Sequence, residues 1–466
     1  MSNVRSRFLK HLLYFLFDIL SLGIALFAAI GIYNVFSASQ TNLVDNTLAL
    51  SLVAIGIPLG HLAIGLYETK IRESIRGVVR RIVVSMALVL VVASIIHAVF
   101  SEQPLPITLM SLVLGITAVL HSLWRNWGIF HGGLQFSKRK ILIVGAGERA
   151  AFVTRRMRRK SDRNHFNLLG FIPMSNHVLD EMKERENIID FFDDEDVDTQ
   201  LQKINPDVIV MANDKGEPVP MPSLLNCKMR GVDVIEMEDF IEFELGQIAV
   251  ERMKPEWLLF SSGFKFKKFG FEALSNMINI ALAFVLVALS WPLMLGAVIA
   301  IYLDDGRKTR ASVFYKQIRV GLNGRHYEIL KFRSMGKDAE KDGAQWAQKD
   351  DMRVTRVGGF LRKYRIDELP QLLNVLRGDM NFVGPRPERP EFVDELSASI
   401  PFYDYRHSVK PGLTGWALLK YPYGASVQDS LEKLKFDLYY IKHRSILLDF
   451  FILIRTIEIV LFGRGR

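Results

Sequence analysis

At 466 residues the chain is long enough for two or three domains, and 49% hydrophobic content with mean hydropathy +0.16 excludes a wholly water-soluble protein. A net charge of +9 suits anionic lipid head groups and phosphorylated substrates; basicity also serves nucleic-acid partners, but no nucleic-acid motif accompanies it. Cys227 is the only cysteine, which excludes an intramolecular disulfide and a cysteine metal cluster.

Four apolar runs open the chain, at about residues 11 to 36, 47 to 67, 78 to 100 and 105 to 124, each near bilayer-crossing length. The first is too long for a removable signal peptide and lacks a small-residue cleavage site. Arg5, Arg7 and Lys10 precede it, and Lys70, Arg72, Arg76, Arg80 and Arg81 separate the second and third runs, whereas 37 to 46 and 101 to 106 carry no lysine or arginine. Positive loops stay cytoplasmic, so both ends of this four-helix bundle, about residues 1 to 130, are expected on the cytoplasmic side, with Lys138, Arg139 and Lys140 continuing the pattern.

A second unit is expected over 138 to 250. ILIVGAGERAAFVTRRM reads as buried strand, glycine turn and helix, the first unit of a Rossmann-like α/β domain of nucleotide- or CoA-binding type. Further strands are predicted at 168 to 172, 207 to 212 and 232 to 237. Gly145 and Gly147 match the first two glycines of a dinucleotide fingerprint, while Ala150 takes the third place and Phe171-Ile172-Pro173 lacks the acidic residue that binds ribose. Both a cofactor seat at Gly145 and Gly147 and a structural or regulatory domain remain open readings.

Residues 273 to 303 are long and apolar enough to span, yet Lys265, Lys267 and Lys268 precede them and Arg307, Lys308 and Arg310 follow, so both flanks favour the cytoplasm. Pro292 removes a helix hydrogen bond. A re-entrant helix that breaks near Trp291-Pro292 and returns to its own side meets both observations; a kinked fifth span is the alternative.

The densest chemistry lies between Lys331 and Glu388. One adjacent acidic pair, Asp367-Glu368, is set among Lys331, Arg333, Arg353, Arg356, Arg362, Arg365 and Arg386. Leu369, Leu372, Leu373 and Leu376 recur at helical spacing, Pro370 suits a first turn and Gly378 a stop, so Asp367 is expected as N-cap of the helix. Lys331 and Arg333 alternate on an apparent strand and face one way, as phosphate ligands or as ordinary strand-edge cations. Arg386, between Pro385 and Pro387, is pre-organised as a phosphate clamp or a structural turn residue. In Pro411-Gly412-Leu413-Thr414-Gly415-Trp416, the Trp416 ring is interfacial or buried. Ile446, Phe450, Leu453, Ile454, Ile457 and Leu461 share one face of a tail helix, opposite Asp449, Arg455, Thr456 and Glu458, which suits either an interfacial or a core-packed helix, with Arg464 and Arg466 beyond it for lipid phosphates.

The words KFRSM (331 to 335), RIDELPQLLNVLRGDM (365 to 380), VGPRPE (383 to 388), KPGLTGW (410 to 416) and FDLYYIKHRSILLD (436 to 449) resemble the polyprenyl-phosphate hexose-1-phosphate transferases, or monotopic phosphoglycosyl transferases, over about residues 265 to 466. The resemblance implies a membrane α/β architecture: a four-helix transmembrane bundle, a Rossmann-like domain, and a catalytic α/β domain with a re-entrant helix and interfacial amphipathic helices. It implies transfer of a sugar 1-phosphate from a UDP-sugar to undecaprenyl phosphate, releasing UMP, at the cytoplasmic face of a bacterial inner membrane, as the first membrane step of exopolysaccharide, capsule or O-antigen synthesis. Asp367 would be the nucleophile and Glu368 would help hold Mg2+. Lys331, Arg333, Arg353, Arg356, Arg362, Arg386 and Glu388 would form the substrate and phosphate cradle. Trp291 stands where members often have serine, and Leu418 where they commonly have glutamine, so sugar preference can differ. A homodimer is compatible with the surfaces of the bundle and the second domain. Two rival classes are a membrane-anchored NAD-dependent nucleotide-sugar dehydratase, to which the Tyr327 and Lys331 spacing points, and a non-catalytic polysaccharide-assembly scaffold.

Overall fold

The computed structural model describes residues 2–36, 47–63, 66, 75–101, 106–130, 139–157, 163, 166–174, 178–189, 197–253, 261, 263–264, 269–339, 351–421, 424 and 426–461. Lys70, Arg72, Lys138, Lys265, Lys267, Lys268, Arg464 and Arg466 lie outside the described residues, as do the side chains of Arg5, Arg7, Lys10, Arg76, Lys308, Ile457, Glu458 and Leu461. The chain divides into two compact units, Met1–Phe240 and Ile241–Arg466.

The first unit begins with helices α1 (Ser2–Phe36), α2 (Thr47–Ala63), α3 (Ile75–Phe100) and α4 (Ile107–Phe130). Tyr14–Val35, Val78–Phe100 and Ile107–Arg125 are long and apolar enough to cross a membrane, while α2 offers the shorter apolar stretch Thr47–His61. The bundle packs Leu22, Ala29, Val53, Ile57, Ile82, Met86, Val113 and Leu114 inward. Its outer face is equally apolar: Phe27 is 85% exposed and Phe100 76%, which a lipid-facing surface tolerates and a wet one does not.

Four parallel strands follow, β1 (Arg139–Val144), β2 (Phe166–Ile172), β3 (Val208–Met211) and β4 (Asp233–Glu236), in the order β2-β1-β3-β4. All four lie where the apolar runs put them. Helices α5 (Glu148–Arg156), α6 (Asp180–Arg185), α7 (Val197–Ile204), α8 (Met221–Met229) and α9 (Met237–Leu245) connect or follow them. Ile141 to Val144 on β1 and Val208 to Val210 on β3 are all buried, the continuous apolar reading of a strand covered on both faces.

The strand order reverses beside β1, so the carboxyl ends of β1 and β3 form the crevice where such sheets hold ligands. Gly145 closes that end of β1 by donating its N–H to Ile172 O at 2.7 Å. The mouth of α5 is filled from within the protein: Asp214 accepts from Glu148 N at 2.8 Å and Arg149 N at 3.0 Å. A carboxylate there satisfies orphan N–H groups and meets the positive end of the helix, the same attraction that would draw a diphosphate. Gly147 makes room for it, since a Cβ at that position would stand 2.0 Å from Asp214 Oδ2. Gly147→Ala is therefore expected to dislodge the cap and cost about 1–2 kcal/mol. Thermal unfolding of the full chain in detergent tests this, and an unchanged midpoint would contradict the capping role.

The second unit is built on α10 (Phe269–Ile301), which continues through a π turn, Tyr302–Gly306. The expected break at Trp291-Pro292 is not seen: the helix runs on through Pro292, which costs it one hydrogen bond on an exposed face. Its first half sends Ala283 into a core with Leu372, Met380, Phe382 and Leu438, and its second half sends Ala297 and Ile301 into another with Phe332, Leu361 and Ile366. Polar contacts fix both ends to the same unit. Glu272 pairs with Arg444 at 2.7 Å, Asn279 Oδ1 accepts from Phe382 N at 2.7 Å, and Asp304 accepts from Val357 N at 3.2 Å.

Around α10 stand the antiparallel pair β5 (Phe314–Val320) and β6 (His326–Phe332), helices α11 (Arg356–Lys363) and α12 (Gln371–Arg377), β7 (Asn381–Val383) parallel to β8 (Gly412–Thr414), and helices α13 (Pro390–Ser399), α14 (Trp416–Lys420), α15 (Val427–His443) and α16 (Ile446–Leu461). Trp416 is buried, donating Nε1–H to Gly246 O at 2.8 Å. The tail helix α16 buries Ile452 and Ile454 against the unit, as a core-packed face does. Its polar side docks it, through Tyr440 Oη to Asp449 at 2.7 Å and Thr414 to Thr456 at 2.6 Å, while Leu447 is 62% exposed and Phe450 is also exposed.

Candidate active site

The acidic pair is placed by two helices and a strand. Thr355 caps α11 by accepting from Gly358 N at 2.9 Å. Gly358 lets α11 lie against the KFRSM segment, because a Cβ there would meet Ser334 O at 2.0 Å. After α11 the chain turns through Arg365, in the left-handed region at φ 58°, into a 3-10 turn, Ile366–Glu368. Asp367 is therefore not the N-cap of α12; Pro370 occupies that position and Gly378 ends the helix as expected. Pro370 has no N–H for an Asp367 side chain to cap, and the extra turn carries Asp367 toward the cations instead.

Strand β6 is tied to α12 by Asn374, which is fully buried. Its Oδ1 accepts from Leu330 N at 3.0 Å and its Nδ2 donates to Glu328 O at 2.7 Å. That staple sets Lys331, the next residue on β6, beside the pair: Lys331 Nζ is 3.8 Å from Glu368 Oε1. Arg365 and Arg386 each reach the same oxygen at 3.3 Å. Three cations thus converge on Glu368. Burial alone would raise its carboxyl, and Arg386, Lys331 and Arg365 together hold it well below the usual carboxylate range.

Asp367 is the opposite case. It is 9% exposed, and its Oδ1 is buried with no hydrogen-bond partner among the described residues. Burial first, and the charge on Glu368 second, raise its pKa, against the pull of Lys331, Arg365 and Arg362. The site has separated its two carboxylates into a permanently charged anchor and an underbonded, more basic neighbour. Lys331 is pulled down to about 8, chiefly by burial and against the charge of Glu368.

Arg386 sits on a segment with little freedom. Tyr440 Oη donates to Val383 O at 3.2 Å, Gly412 N to Pro385 O at 2.9 Å, Arg406 Nη2 to Arg386 O at 2.9 Å and Arg319 Nη1 to Pro387 O at 3.1 Å. Pro385 and Pro387 have no N–H, so carbonyls are the available handles, and four separate elements hold them. Arg406 is itself buried between Asp437, at 3.0 Å, and the Tyr403 hydroxyl.

The remaining cradle residues are distributed. Arg362 lies near enough to act on Asp367 electrostatically, and its buried Nη1 has no hydrogen-bond partner among the described residues. Arg333 is buried and donates Nε–H to Ser312 O at 2.7 Å. Arg353 forks onto Asp351, with Nε to Oδ1 at 2.7 Å, and holds that carboxyl down to about 2. Arg356 is exposed at the start of α11, and Glu388 stands 3.7 Å from Arg319. Tyr327 and Lys331 share β6, where residues four apart are separated by roughly 13 Å and cannot act as the adjacent pair a dehydratase needs. Asn374, Arg406, Asp437 and Arg319 are functional candidates that sequence reasoning passed over. Asn374 alone left a signal, a polar residue in the buried register of an apolar helix.

Residues 271–463 match the family model described as bacterial sugar transferase. The UDP-N-acetylgalactosamine-undecaprenyl-phosphate N-acetylgalactosaminephosphotransferase of Aeromonas hydrophila is 41% identical over 245 residues, covering 52% of this chain and 55% of that protein. A putative undecaprenyl-phosphate N-acetylgalactosaminyl 1-phosphate transferase of Bacillus subtilis is 46% identical over 134 residues, 29% of this chain and 73% of that one. The UDP-glucose:undecaprenyl-phosphate glucose-1-phosphate transferase of Caulobacter vibrioides is 40% identical over 188 residues, 40% of this chain and 69% of that one. The chain belongs to the bacterial sugar transferase family, the polyprenyl-phosphate hexose-1-phosphate transferases that its sequence resembles. It spans about half the length of the Aeromonas relative.

Proposed function

We propose that this chain is a phosphotransferase that moves a sugar 1-phosphate from a UDP-sugar to undecaprenyl phosphate by two displacements at Asp367. The observation that carries the reading is the underbonded, buried Asp367 oxygen beside a Glu368 gripped by three cations. In the first displacement an Asp367 oxygen attacks the sugar-proximal phosphorus. The bond to the bridging oxygen breaks, and UMP leaves with the electron pair. In the second, a polyprenyl phosphate oxygen attacks the same phosphorus and the carboxylate leaves, giving the polyprenyl diphosphate sugar. Two anionic substrates and an anionic nucleophile repel one another, and Lys331, Arg386 and Arg362 supply the compensating charge.

The orphan Asp367 oxygen and the adjacent Glu368 carboxylate suit a hard divalent ion that takes few protein oxygens and completes its shell with phosphate and water. Mg2+ held there by Glu368, beside the attacking Asp367, would neutralise diphosphate charge.

Placement on the cytoplasmic face of an inner membrane is supported by α10. A helix of 33 residues measures about 50 Å along its axis, and Pro292 inside it supplies a point at which it can bend. Glu272 at one end and Asp304 at the other both bind the same folded unit, which favours a helix that enters and leaves on one side over one that crosses. The exposed Leu447 and Phe450 of α16 and the exposed Trp291 suit the same lipid surface. Initiation of a surface polysaccharide is the role in which this product would serve.

A panel of UDP-sugars assayed for UMP release tests the reaction. Release beyond one UMP per enzyme that requires polyprenyl phosphate is expected; release of a keto-sugar, or no turnover with any donor, would overturn it. The pH profile offers a second check. The cationic form of Lys331 exists below about pH 8 and is lost above it, so transfer is expected to fall as pH rises through about 8. Lys331→Arg keeps its charge at every accessible pH and should remove that limb. A limb left in place by the substitution would contradict the assignment.

A further inference from the structure

The membrane bundle contains a polar cluster that the transfer reaction does not use. Asp18 of α1, His61 of α2 and His121 of α4 are at most 1% exposed, and one donor atom from each lies within 4.8 Å of the others. Ionisable side chains inside an apolar bundle are costly to retain for packing alone. His61 Nε2 faces His121 Nδ1 at 2.8 Å. Among the described residues, His121 Nε2 faces oxygens of Asp18, the carbonyl at 3.3 Å and Oδ1 at 3.7 Å. Asp18 Oδ1 has no hydrogen-bond partner among the described residues.

The supporting groups are those a metal site has. Ser85 Oγ of α3 meets His61 Nδ1 at 3.0 Å, which puts the lone pair on Nε2, on the His121 side, when Nδ1–H donates. Arg125 binds the other Asp18 oxygen, Oδ2, and the Leu66 carbonyl, so it orients the carboxylate while leaving Oδ1 turned to the imidazoles. Two imidazoles and one carboxylate are the donors of zinc-like ions. The Arg125 charge already balances Asp18, which disfavours hard ions that depend on several carboxylates, such as Mg2+.

We propose that Asp18, His61 and His121 form a binding site for one zinc-like divalent transition metal, tying α1, α2 and α4 together inside the membrane bundle. Occupancy replaces the His61 to His121 hydrogen bond with two metal bonds, parting those nitrogens from 2.8 Å to roughly 3.3 Å while the Asp18 carboxylate draws in, a small adjustment between packed helices.

The test uses the untagged full chain in detergent, stripped with a chelator and titrated with Co2+. About one ion per chain with a visible d–d band, displaced by Zn2+ and untouched by Mg2+, is expected. His61→Gln and His121→Gln should lose the band, and Ser85→Ala should weaken binding about 10- to 100-fold. A wild-type chain that gives no band, or a band undiminished in both histidine variants, overturns the site. Should the variants fail to fold, the wild type still decides: Zn2+ added to the stripped protein must raise its unfolding midpoint, and no shift overturns the proposal.

Discussion

Asp367→Asn is expected to lower sugar-phosphate transfer by about 10^4-fold or more while leaving the fold at least as stable as the parent. The substitution is nearly isosteric and leaves Lys331, Arg365 and Arg386 on Glu368 untouched. What it removes is a carboxylate whose ionised form is disfavoured by burial and by the charge on Glu368. A group whose folded-state pKa is raised opposes folding once it is ionised, so a neutral amide relieves that cost at neutral pH. Activity and stability should therefore move in opposite directions, as they do where function holds a strained group in place. UMP release and thermal unfolding, measured on the same preparation, read both. Activity within tenfold of wild type would remove Asp367 as nucleophile, and lost activity with a large loss of stability would make it a structural residue.

The second large effect falls outside the acidic pair. Asp437→Ala is expected to destabilise the second unit by about 3–5 kcal/mol, because it leaves the Arg406 guanidinium buried without its counter-charge. The intact pair itself adds little. Burial pushes the Asp437 carboxyl up to about 6 even with Arg406 beside it, so desolvation consumes much of the attraction. The double change Arg406→Met with Asp437→Leu separates the two roles. It should restore most of the stability yet transfer slowly, since the Arg386 carbonyl has lost its donor. Denaturant unfolding of the single variant by less than 1 kcal/mol, or full activity in the double variant, would contradict the clamp.

The parts of this molecule written in local pattern were readable from sequence. Strands β1 to β4 announce themselves as short apolar runs, the bundle helices as long ones, and Gly378 as a helix end. The acidic pair and its cations were legible as residues, but not their division of labour. Nothing local says that Glu368 collects Lys331, Arg365 and Arg386 while Asp367 is left short of partners, because Lys331 and Arg386 come from elements far apart in the chain. Arg353 shows the converse. Its fork onto Asp351, two residues away, is a local contact that a run of cations in the sequence conceals. Asp214 fills the helix mouth that Gly147 opens, 67 positions earlier in the chain, and no fingerprint registers a carboxylate supplied from the next strand but one. His61 and His121 were absorbed into apolar runs, where an average over a span conceals a polar residue on one face.

Covalent capture on the chain decides the central claim. Purified protein mixed with a UDP-sugar labelled in its sugar, without polyprenyl phosphate, should release UMP in an amount no greater than the enzyme and retain an equal amount of label on a peptide containing Asp367. The label should then leave when undecaprenyl phosphate is added. Rapid transfer to the lipid under conditions where no label is ever recovered on the polypeptide would show that the phosphosugar passes directly between substrates, and Asp367 would lose its proposed role.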